Sequence, residues 1–451
     1  MRFGCTGGTA GRGRRAGAAL LGATVAAGTG LAAGCASDAT TAAGGGSVSL
    51  AVSPAGGSGE QRPDAPVAVQ AERGTIANVT VTEEAGAAKD ATKDADTGAA
   101  AGADGNADES AAQAAGGKAV EGSLNAARTQ WRSRWTLAPG TAYTVHATAI
   151  GLDGRTRTVS TRFTTAKAEK ELATQLEAPY DKETVGVGMP IILRFKREIT
   201  DKAAVERALE VRSSKPVEGA WHWFDEDYPG PSVVFRPKEY WPAHTDVTLN
   251  AHLAGVQGAK GVYGTKDQSL RFRVGDSRIS TASENTHQMV VKKNGKVVRK
   301  VPVSMGKGGV RKYTTTNGVH LTMDKGSPVT MTSGWEGIGP GSPGYYSLTV
   351  YNAVRISNSG EYVHSAPWSV GSQGNANVSH GCINISPSHA KWFYNFSHRG
   401  DPYEVTGSKR ELEPTNGWGY WQLSWKDWVK GSALKQSHKI GPSGSVPLPA
   451  A

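Results

Sequence analysis

The chain has 451 residues, enough for about three domains of ordinary size. Its formal net charge is +10, but the basic residues are spread out without a dense block, which argues against nucleic-acid binding. The charge favours attraction to an anionic wall or membrane surface, although a merely solvated basic surface would explain it equally well. With 58 glycines, 22 prolines and few long apolar runs, the composition predicts a mainly β protein with many turns.

The N-terminus has the pattern of a secretory signal, with early arginines followed by an apolar run over residues 16–33. It ends in LAAGC, and these small residues before Cys35 resemble the box of bacterial lipoproteins, although Ala32 stands where that family has leucine. The resemblance implies that residues 1–35 are a lipoprotein signal peptide region and that Cys35 becomes lipidated. The protein would then be extracytoplasmic, anchored in the cell membrane and facing the wall. An ordinary signal peptide near a chance cysteine is the alternative.

The first folded unit is predicted over residues 47–166. Residues 36–46 before it contain only small and polar side chains and are expected to form a tether. Alternating apolar and polar residues, with Pro-Gly and Asp-Gly turns, predict antiparallel strands in an immunoglobulin-like sandwich. Residues 83–118 have no aromatic and no large aliphatic side chain, so this stretch is predicted to be a disordered insertion.

Residues 168–276 repeat the pattern of the first unit. Strand-like alternation over residues 189–199 precedes a short predicted helix with Asp201 as its N-cap. The segments STRFTT and SLRFRVGD, which end the two units, are similar to one another. Two related sandwiches in tandem are therefore predicted.

The third unit, residues 277–408, is predicted to be a compact β domain with one helix. Asn294-Gly295 lies between two alternating strands and is the strongest short hairpin signal in the chain. A helix near the end of the unit is predicted to be capped by Ser386 or Ser388.

The C-terminal part of the chain divides into two segments. Residues 409–435 are rich in tryptophan, and we expect them to form an extension that packs back on the third unit. Residues 436–451 are predicted to be a disordered tail.

The chemistry of the chain centres on one cysteine, Cys382. Cys5 lies in the signal and Cys35 in the lipoprotein box, so Cys382 has no partner for a disulfide. An imidazole that takes the thiol proton makes such a cysteine a nucleophile, and His364 and His380 both lie upstream. Spacing alone does not tell which of the two histidines is the base.

The segment around this cysteine, VHSAPWSVGSQGNANVSHGCINISP at residues 363–387, resembles the signature of L,D-transpeptidases of the YkuD type. That signature is a histidine, a gap, then Ser/Thr-His-Gly-Cys, a variable residue and Asn. Every element is present, at His364, Ser379, His380, Gly381, Cys382 and Asn384. The two sandwiches and the Trp-rich extension resemble those of the mycobacterial-type members.

The resemblance implies a role for each residue of the motif. Cys382 would be the nucleophile and His364 the general base and then the acid, with the backbone carbonyl of Ser365 orienting its ring. His380 and Gly381 would shape the oxyanion pocket, to which the amides of Gly381 and Cys382 would donate. Further residues would contact the substrate: Tyr346, with Tyr345 as its rival, Ser359, Gly360, Trp368 and Asn384.

The reaction implied by the resemblance is the transfer of a peptidoglycan stem peptide. The thiolate of Cys382 would attack a tetrapeptide donor, release D-alanine and form a thioester, which a neighbouring stem would then resolve into a 3→3 cross-link. Carbapenem-type β-lactams would acylate the same cysteine. No metal and no cofactor are implied, and no nucleic acid is expected as a partner.

Two other functions remain open from the sequence. A papain-like or NlpC-like cysteine peptidase would cut wall peptides, but such enzymes place the cysteine before the histidine and at a helix N-terminus. Here His364 precedes Cys382, and Cys382 is expected to end a strand. A non-catalytic wall-binding lipoprotein is the third possibility, and the intact motif argues against it.

Overall fold

The protein is mainly β, as its composition predicts. The structure is a computed structural model, and it describes residues 47–57, 59–84, 117–225, 229–333, 338–343 and 345–448. The signal with Cys35, the tether, nearly all of the predicted insertion and the last three residues lie outside the described residues. Within the described part of the chain, no helix is both long and apolar enough to cross a membrane.

The first sandwich consists of two antiparallel sheets around one core. One sheet has the strand order β1-β2-β5-β4 and the other the order β3-β6-β7. Their inner faces meet through buried side chains such as Val69, Trp131, Val145 and Phe163. The strands are β1 (Ser49–Ser53), β2 (Ala68–Glu72), β3 (Gly74–Glu83), β4 (Gly122–Leu124), β5 (Gln130–Ser133), β6 (Ala142–Gly151) and β7 (Thr156–Thr164).

The second sandwich contains the predicted short helix, α1 (Lys202–Arg207), capped by the side chain of Asp201, which accepts from the Ala204 amide. Its strands are β8 (Lys170–Glu171), β9 (Thr174–Ala178), β10 (Thr184–Val185), β11 (Ile191–Phe195), β12 (Leu209–Ser213), β13 (Val217–Phe224), β14 (Ser232–Pro237), β15 (Asp246–Ala251), β16 (Gln257–Ala259), β17 (Val262–Tyr263) and β18 (Gln268–Val274). The sheet β10-β18-β15-β12 packs against a larger sheet that includes β13-β14-β11-β9.

The third unit has a central sheet with the order β21-β20-β19-β29-β22-β30 and a smaller sheet, β23-β26-β27-β28. Its strands are β19 (Arg278–Ser283), β20 (Gln288–Lys293), β21 (Lys296–Pro302), β22 (Thr316–Leu321), β23 (Lys325–Gly326), β24 (Val329–Thr332), β25 (Ser347–Val350), β26 (Ala353–Arg355), β27 (Tyr362–Ser365), β28 (Ile383–Ile385), β29 (Pro402–Thr406) and β30 (Arg410–Glu411). A shared core joins the two sheets and helix α2 (Pro387–Phe396).

In the third unit, the predicted hairpin and the predicted helix cap are both present. Asn294 and Gly295 have φ values of 49° and 80°, as a tight hairpin between β20 and β21 requires. Ser386 is the N-cap of α2, because its hydroxyl accepts from the amide of His389.

The C-terminal segments differ from the prediction in two ways. Residues predicted to be a disordered tail form β31 (His438–Gly441) and β32 (Gly444–Pro447), and β31 pairs with β13 of the second sandwich. The Trp-rich extension, with helix α3 (Trp425–Lys430), also packs mainly on that sandwich, although Gln422 reaches β22 of the third unit. The edge of β13 offers backbone N–H and C=O groups, and β31 pairs with them.

A buried arginine explains where the extension docks. The guanidinium of Arg236 on β14 lies 4.5 Å from the ring centre of Trp421 and 4.7 Å from that of Trp428. It donates to the backbone carbonyl of Leu423, and burial lowers the pKa of Arg236 to about 10. A buried guanidinium has lost its contacts with water, and stacking on indole rings compensates for part of that loss. The extension therefore closes over this residue.

Truncation of Trp428 is expected to destabilise the second sandwich by about 3–5 kcal/mol. Its side chain is fully buried, and its indole N–H donates to the carbonyl of Ala220 at 2.9 Å. Denaturant unfolding of Trp428→Ala measures the loss. Leu152→Ala is the control, because Leu152 is 87% exposed and its truncation should leave the transition unchanged. Equal transitions for both variants would contradict this docking.

Candidate active site

Two parallel strands bring the two halves of the motif together. Strand β27 pairs with β28 so that His364 lies opposite Asn384. Cys382 directly precedes β28, and the sequence-based expectation that it ends a strand is wrong. Cys382 is two residues before Asn384, and residues two apart along a strand share a face. A continuation of the register by one residue would therefore place Cys382 on the face that carries His364.

His364 is buried and its ring is fixed. Its Nδ1 lies 2.9 Å from the backbone carbonyl oxygen of Ser365, which is the contact that the orienting role requires. Because a carbonyl only accepts, this contact places the proton on Nδ1 and leaves Nε2 as the acceptor. Burial lowers the pKa of His364, so the ring is neutral at neutral pH.

Cys382 is half-buried, and its sulfur lies 3.6 Å from the carbonyl oxygen of Gly360, to which the thiol donates. Burial raises the pKa of Cys382 to about 12, although a backbone hydrogen bond with Tyr362 opposes the shift. Burial therefore favours the neutral form of both the Cys382 thiol and the His364 imidazole. If this thiol attacks an acyl group, its proton must leave during the attack rather than before it.

The loop before the nucleophile is held by its own serine. The hydroxyl of Ser379 donates to the carbonyl of Cys382 at 2.6 Å and accepts from the amide of Gly381 at 3.1 Å. Gly381 has a φ of 123°, a conformation that only glycine adopts easily. Of the two amides expected to face an oxyanion, that of Gly381 is thus already engaged with Ser379, and the amide of Cys382 is the better candidate.

Aromatic rings surround the mouth of the site. The exposed ring of His380 lies 4.6 Å from Tyr313 and 5.3 Å from Tyr346, measured between ring centres. Trp368, which is 54% exposed, lies 6.0 Å from His364. Tyr346 therefore lies near His380, and Trp368 lies near His364.

Two residues predicted to contact the substrate are instead engaged in the protein. Asn384 is buried, and its side-chain amide donates to the hydroxyl of Ser369, so it supports the floor of the site. The amide of Ser359 donates to Asn416, and its hydroxyl donates to Glu361 at 3.2 Å. Motif position predicts proximity to the site, but it does not predict which way a side chain points.

Sequence reasoning missed three residues of the site. Tyr313 lies on a short 3-10 turn, Arg311–Tyr313, that no periodicity marks. Thr315 donates to the carbonyl of Gly381 at 2.8 Å, and no pattern indicates it. Glu361 was detectable, because it is a charged residue directly before the short strand that carries the motif histidine.

No residues of the described chain form a metal site: no group of three or more His, Cys, Asp and Glu side chains is arranged to hold an ion there. The motif around Cys382 contains a thiol, an imidazole and backbone N–H donors, which are the groups that acyl transfer requires.

The neutral state of the pair has a measurable consequence. We expect the ultraviolet absorbance of a thiolate, taken as the difference from Cys382→Ser, to be absent at neutral pH and to rise only in strong alkali, because the pKa of Cys382 is about 12. The rate of attack on an acyl donor should rise with pH as His364 loses its proton, with a midpoint below the usual histidine value. Thiolate absorbance at neutral pH would instead indicate a preformed ion pair.

Comparison with known proteins distinguishes an Ig-like region from a catalytic region that follows it. Residues 97–257 match the family described as bacterial Ig domain, and residues 277–405 match that described as L,D-transpeptidase catalytic domain. The chain is 39% identical to L,D-transpeptidase 5 of Mycobacterium tuberculosis over 65% of its own length and 64% of the relative's. It is 38% identical to L,D-transpeptidase 2 of that organism, over 67% of this chain and 72% of the relative.

Among solved structures, the chain resembles an L,D-transpeptidase in complex with imipenem. The two are 37% identical, with a TM-score of 0.45, over 52% of this chain and 99% of that one. The chain thus spans somewhat less than two thirds of the first relative, L,D-transpeptidase 5, at 64% of its length.

Proposed function

Because this chain belongs to the L,D-transpeptidase family, we propose that it forms 3→3 cross-links between peptidoglycan stem peptides through an acyl-enzyme on Cys382. One observation carries the proposal: in the parallel pair of β27 and β28, the ring-fixed His364 lies opposite Asn384, which follows Cys382 by two residues. The family supplies the substrate class, and this pairing supports Cys382 as the nucleophile and His364 as the base.

The first half-reaction acylates the cysteine. The sulfur attacks the carbonyl carbon of the third residue of a tetrapeptide stem while Nε2 of His364 takes the thiol proton. The C–S bond forms, the C–N bond to D-alanine breaks, and the imidazolium gives its proton to the leaving amine. D-Alanine departs, and the stem remains as a thioester on Cys382.

The second half-reaction returns the enzyme to its resting state. The side-chain amine of a neighbouring stem attacks the thioester and gives a proton to His364. The new amide is the 3→3 link, and the sulfur leaves and is protonated again. Exclusion of water by the acceptor favours transfer over hydrolysis.

Backbone and tyrosine donors stabilise the charge that develops on the attacked carbonyl. The amide of Cys382 is the donor at the nucleophile itself, while His380 and Tyr346 form one side of the pocket. Ser365 holds the base in its tautomer, and Gly360 holds the thiol through its carbonyl.

The geometry favours this function over a papain-like or NlpC-like peptidase. Those enzymes use a thiolate at the N-terminus of a helix, where the helix dipole lowers the thiol pKa. Cys382 instead precedes a strand, and burial raises its pKa. A non-catalytic wall-binding lipoprotein has no need for a ring-fixed histidine beside an unpaired cysteine.

We also propose that carbapenems acylate Cys382, since a relative of known structure was solved with imipenem. A β-lactam carbonyl would enter where the donor stem does. Opening of the strained ring would leave the drug attached to the sulfur, because no separate leaving group departs.

The proposed location is the outer face of the cell membrane, through a lipid on Cys35. Support comes from the basic start, the apolar run and the small residues before this cysteine. Expression of Cys35→Ser in an actinobacterial host, followed by separation of membrane and medium, tests the anchor. Release of the variant into the medium supports the anchor, and equal membrane association of both proteins contradicts it.

The function is tested by incubating the purified protein with a disaccharide tetrapeptide and reading the products by mass. A cross-linked dimer that has lost one D-alanine supports the L,D-transpeptidase. Cleaved stems without dimer would support the peptidase. No product, together with no imipenem adduct, would support a binding module.

A further inference from the structure

A buried bridge of side chains lies directly behind the nucleophile and is unused by the proposed mechanism. It consists of Thr315, Thr316 and Glu361, which are 1%, 0% and 3% exposed. The carboxylate of Glu361 joins the first residues of β22 to the loop that carries Gly360. Burying a carboxylate is costly unless each of its oxygens accepts hydrogen bonds, so this placement needs a reason.

The carboxylate of Glu361 accepts from two chain segments. On one side, the amide of Thr316 donates to Oε1 at 2.6 Å and its hydroxyl to Oε2 at 2.7 Å. On the other, the hydroxyls of Ser357 and Ser359 donate to Oε2 at 2.5 and 3.2 Å. Glu361 therefore fixes Thr316 relative to the loop at Ser357–Ser359.

The far end of Thr316 is also held. Its hydroxyl lies 2.6 Å from Nε2 of His320, a fully buried ring whose Nδ1 lies 3.0 Å from the carbonyl of Gly318. The bridge is thus anchored in the central sheet and cannot shift without breaking several buried hydrogen bonds.

The bridge reaches the nucleophile loop, residues 379–382, at both of its ends. Gly360, next to Glu361, accepts from the thiol of Cys382. Thr315, next to Thr316, donates from Oγ1 to the carbonyl of Gly381 at 2.8 Å. Thr315 itself is fixed because its hydroxyl accepts from the amide of Gly306 at 2.9 Å.

The bond from Thr315 sets the direction of one amide. The carbonyl of Gly381 and the N–H of Cys382 belong to the same planar trans peptide and point in opposite directions. A hydroxyl that holds the carbonyl on the Thr315 side therefore turns the N–H of Cys382 away from Thr315. The amide of Gly381 is taken by Ser379, so the orientation of this one peptide matters.

We infer that Thr315, held in place through Thr316 by Glu361, is a positioning residue that orients the Gly381–Cys382 peptide so that the Cys382 amide donates to the oxyanion. This inference rests on the proposed function, because the oxyanion exists only if Cys382 attacks an acyl group. Because its three side chains are buried, the bridge acts through the nucleophile loop.

A matched pair of substitutions at Thr315 separates orientation from general damage. Thr315→Val removes the hydroxyl and keeps the shape, whereas Thr315→Ser keeps the hydroxyl. With saturating imipenem, we expect Thr315→Val to acylate on the order of 10- to 100-fold more slowly than wild type, since loss of a whole oxyanion donor costs about 10²–10³-fold. Thr315→Ser should stay within about threefold of wild type.

The second readout is alkylation of Cys382 by iodoacetamide, which involves no oxyanion. It should be nearly equal in wild type, Thr315→Val and Thr315→Ser. Glu361→Ala should show the same selective loss of acylation, and the double variant with Thr315→Val should lose less than the product of the two single effects, because both act through one bridge. Glu411→Ala, on an exposed side chain of the same domain, is the control and should acylate normally.

Equal acylation rates in Thr315→Val and Thr315→Ser would overturn the inference, as would a loss of alkylation in parallel with acylation. If Glu361→Ala does not fold, the Thr315 pair decides alone. Wild-type protein that imipenem does not acylate would overturn the proposed function and this inference with it, whereas acylated wild type with an unaffected Thr315→Val overturns the inference only.

Discussion

Replacement of Cys382 by alanine is expected to abolish cross-linked product and the imipenem adduct, with a fall in rate of at least about 10⁴-fold. Cys382 is the one cysteine in the described part of the chain, and its sulfur is the atom that the proposed mechanism acylates. The fold should survive, because alanine fills most of the half-buried site. Product analysis by mass, with circular dichroism as a check of folding, measures the effect.

Cys35→Ser is the matched control for this substitution. It also removes a thiol, but one that the proposed mechanism does not use, so the variant should form product at the wild-type rate in detergent solution. Product formation by Cys382→Ala, or an equal loss in both variants, would contradict the assignment of the nucleophile.

Replacement of His364 by glutamine is expected to slow acylation by about 10²–10⁴-fold, the usual contribution of a general base. The ring of His364 is buried and fixed by Ser365, and its lowered pKa keeps Nε2 free to take a proton. His380→Gln removes the other histidine of the motif. His380 is exposed between two tyrosines, so we expect a loss below about tenfold.

The comparison of these two variants answers the question that spacing left open. Imipenem acylation, followed by intact-protein mass at several times, measures both rates. A larger loss in His380→Gln than in His364→Gln would transfer the role of base to His380 and would require a different path for the thiol proton.

The elements with strong local signals were predictable from the sequence. The hairpin at Asn294-Gly295 follows from backbone conformations that few residues adopt. The helices capped by Asp201 and Ser386 follow from a carboxylate or hydroxyl acceptor directly before the first helical residue. The mainly β class follows from period-two alternation. In each case the determining interaction lies within a few residues of chain.

The C-terminal segments show where local reasoning ends. Residues 438–447 have weak strand signals, and they form a hairpin because β13 offers an open edge far away in the sequence. Likewise, the destination of the tryptophans depends on the buried guanidinium of Arg236, more than 180 residues upstream of Trp421. No window of sequence contains both partners.

In the site, residue types could be predicted from the sequence, but side-chain orientations could not. Motif and resemblance predict Cys382 as the nucleophile and His364 as the base, because this chemistry restricts the residue types. The orientation of side chains could not be predicted: Asn384 turns inward to Ser369, and the amide of Gly381 is used by Ser379. Thr315 enters the site only through the tertiary approach of β22 to the nucleophile loop, which leaves no mark in the sequence.

The most direct test of the central claim is the mass of the intact protein during turnover with a disaccharide tetrapeptide and no acceptor. We expect a species heavier by the donor less D-alanine, with the added group on Cys382 after proteolysis, and we expect it to disappear when an acceptor stem is added. Release of D-alanine without any protein-bound stem, or attachment of the stem to another residue, would contradict the thioester mechanism.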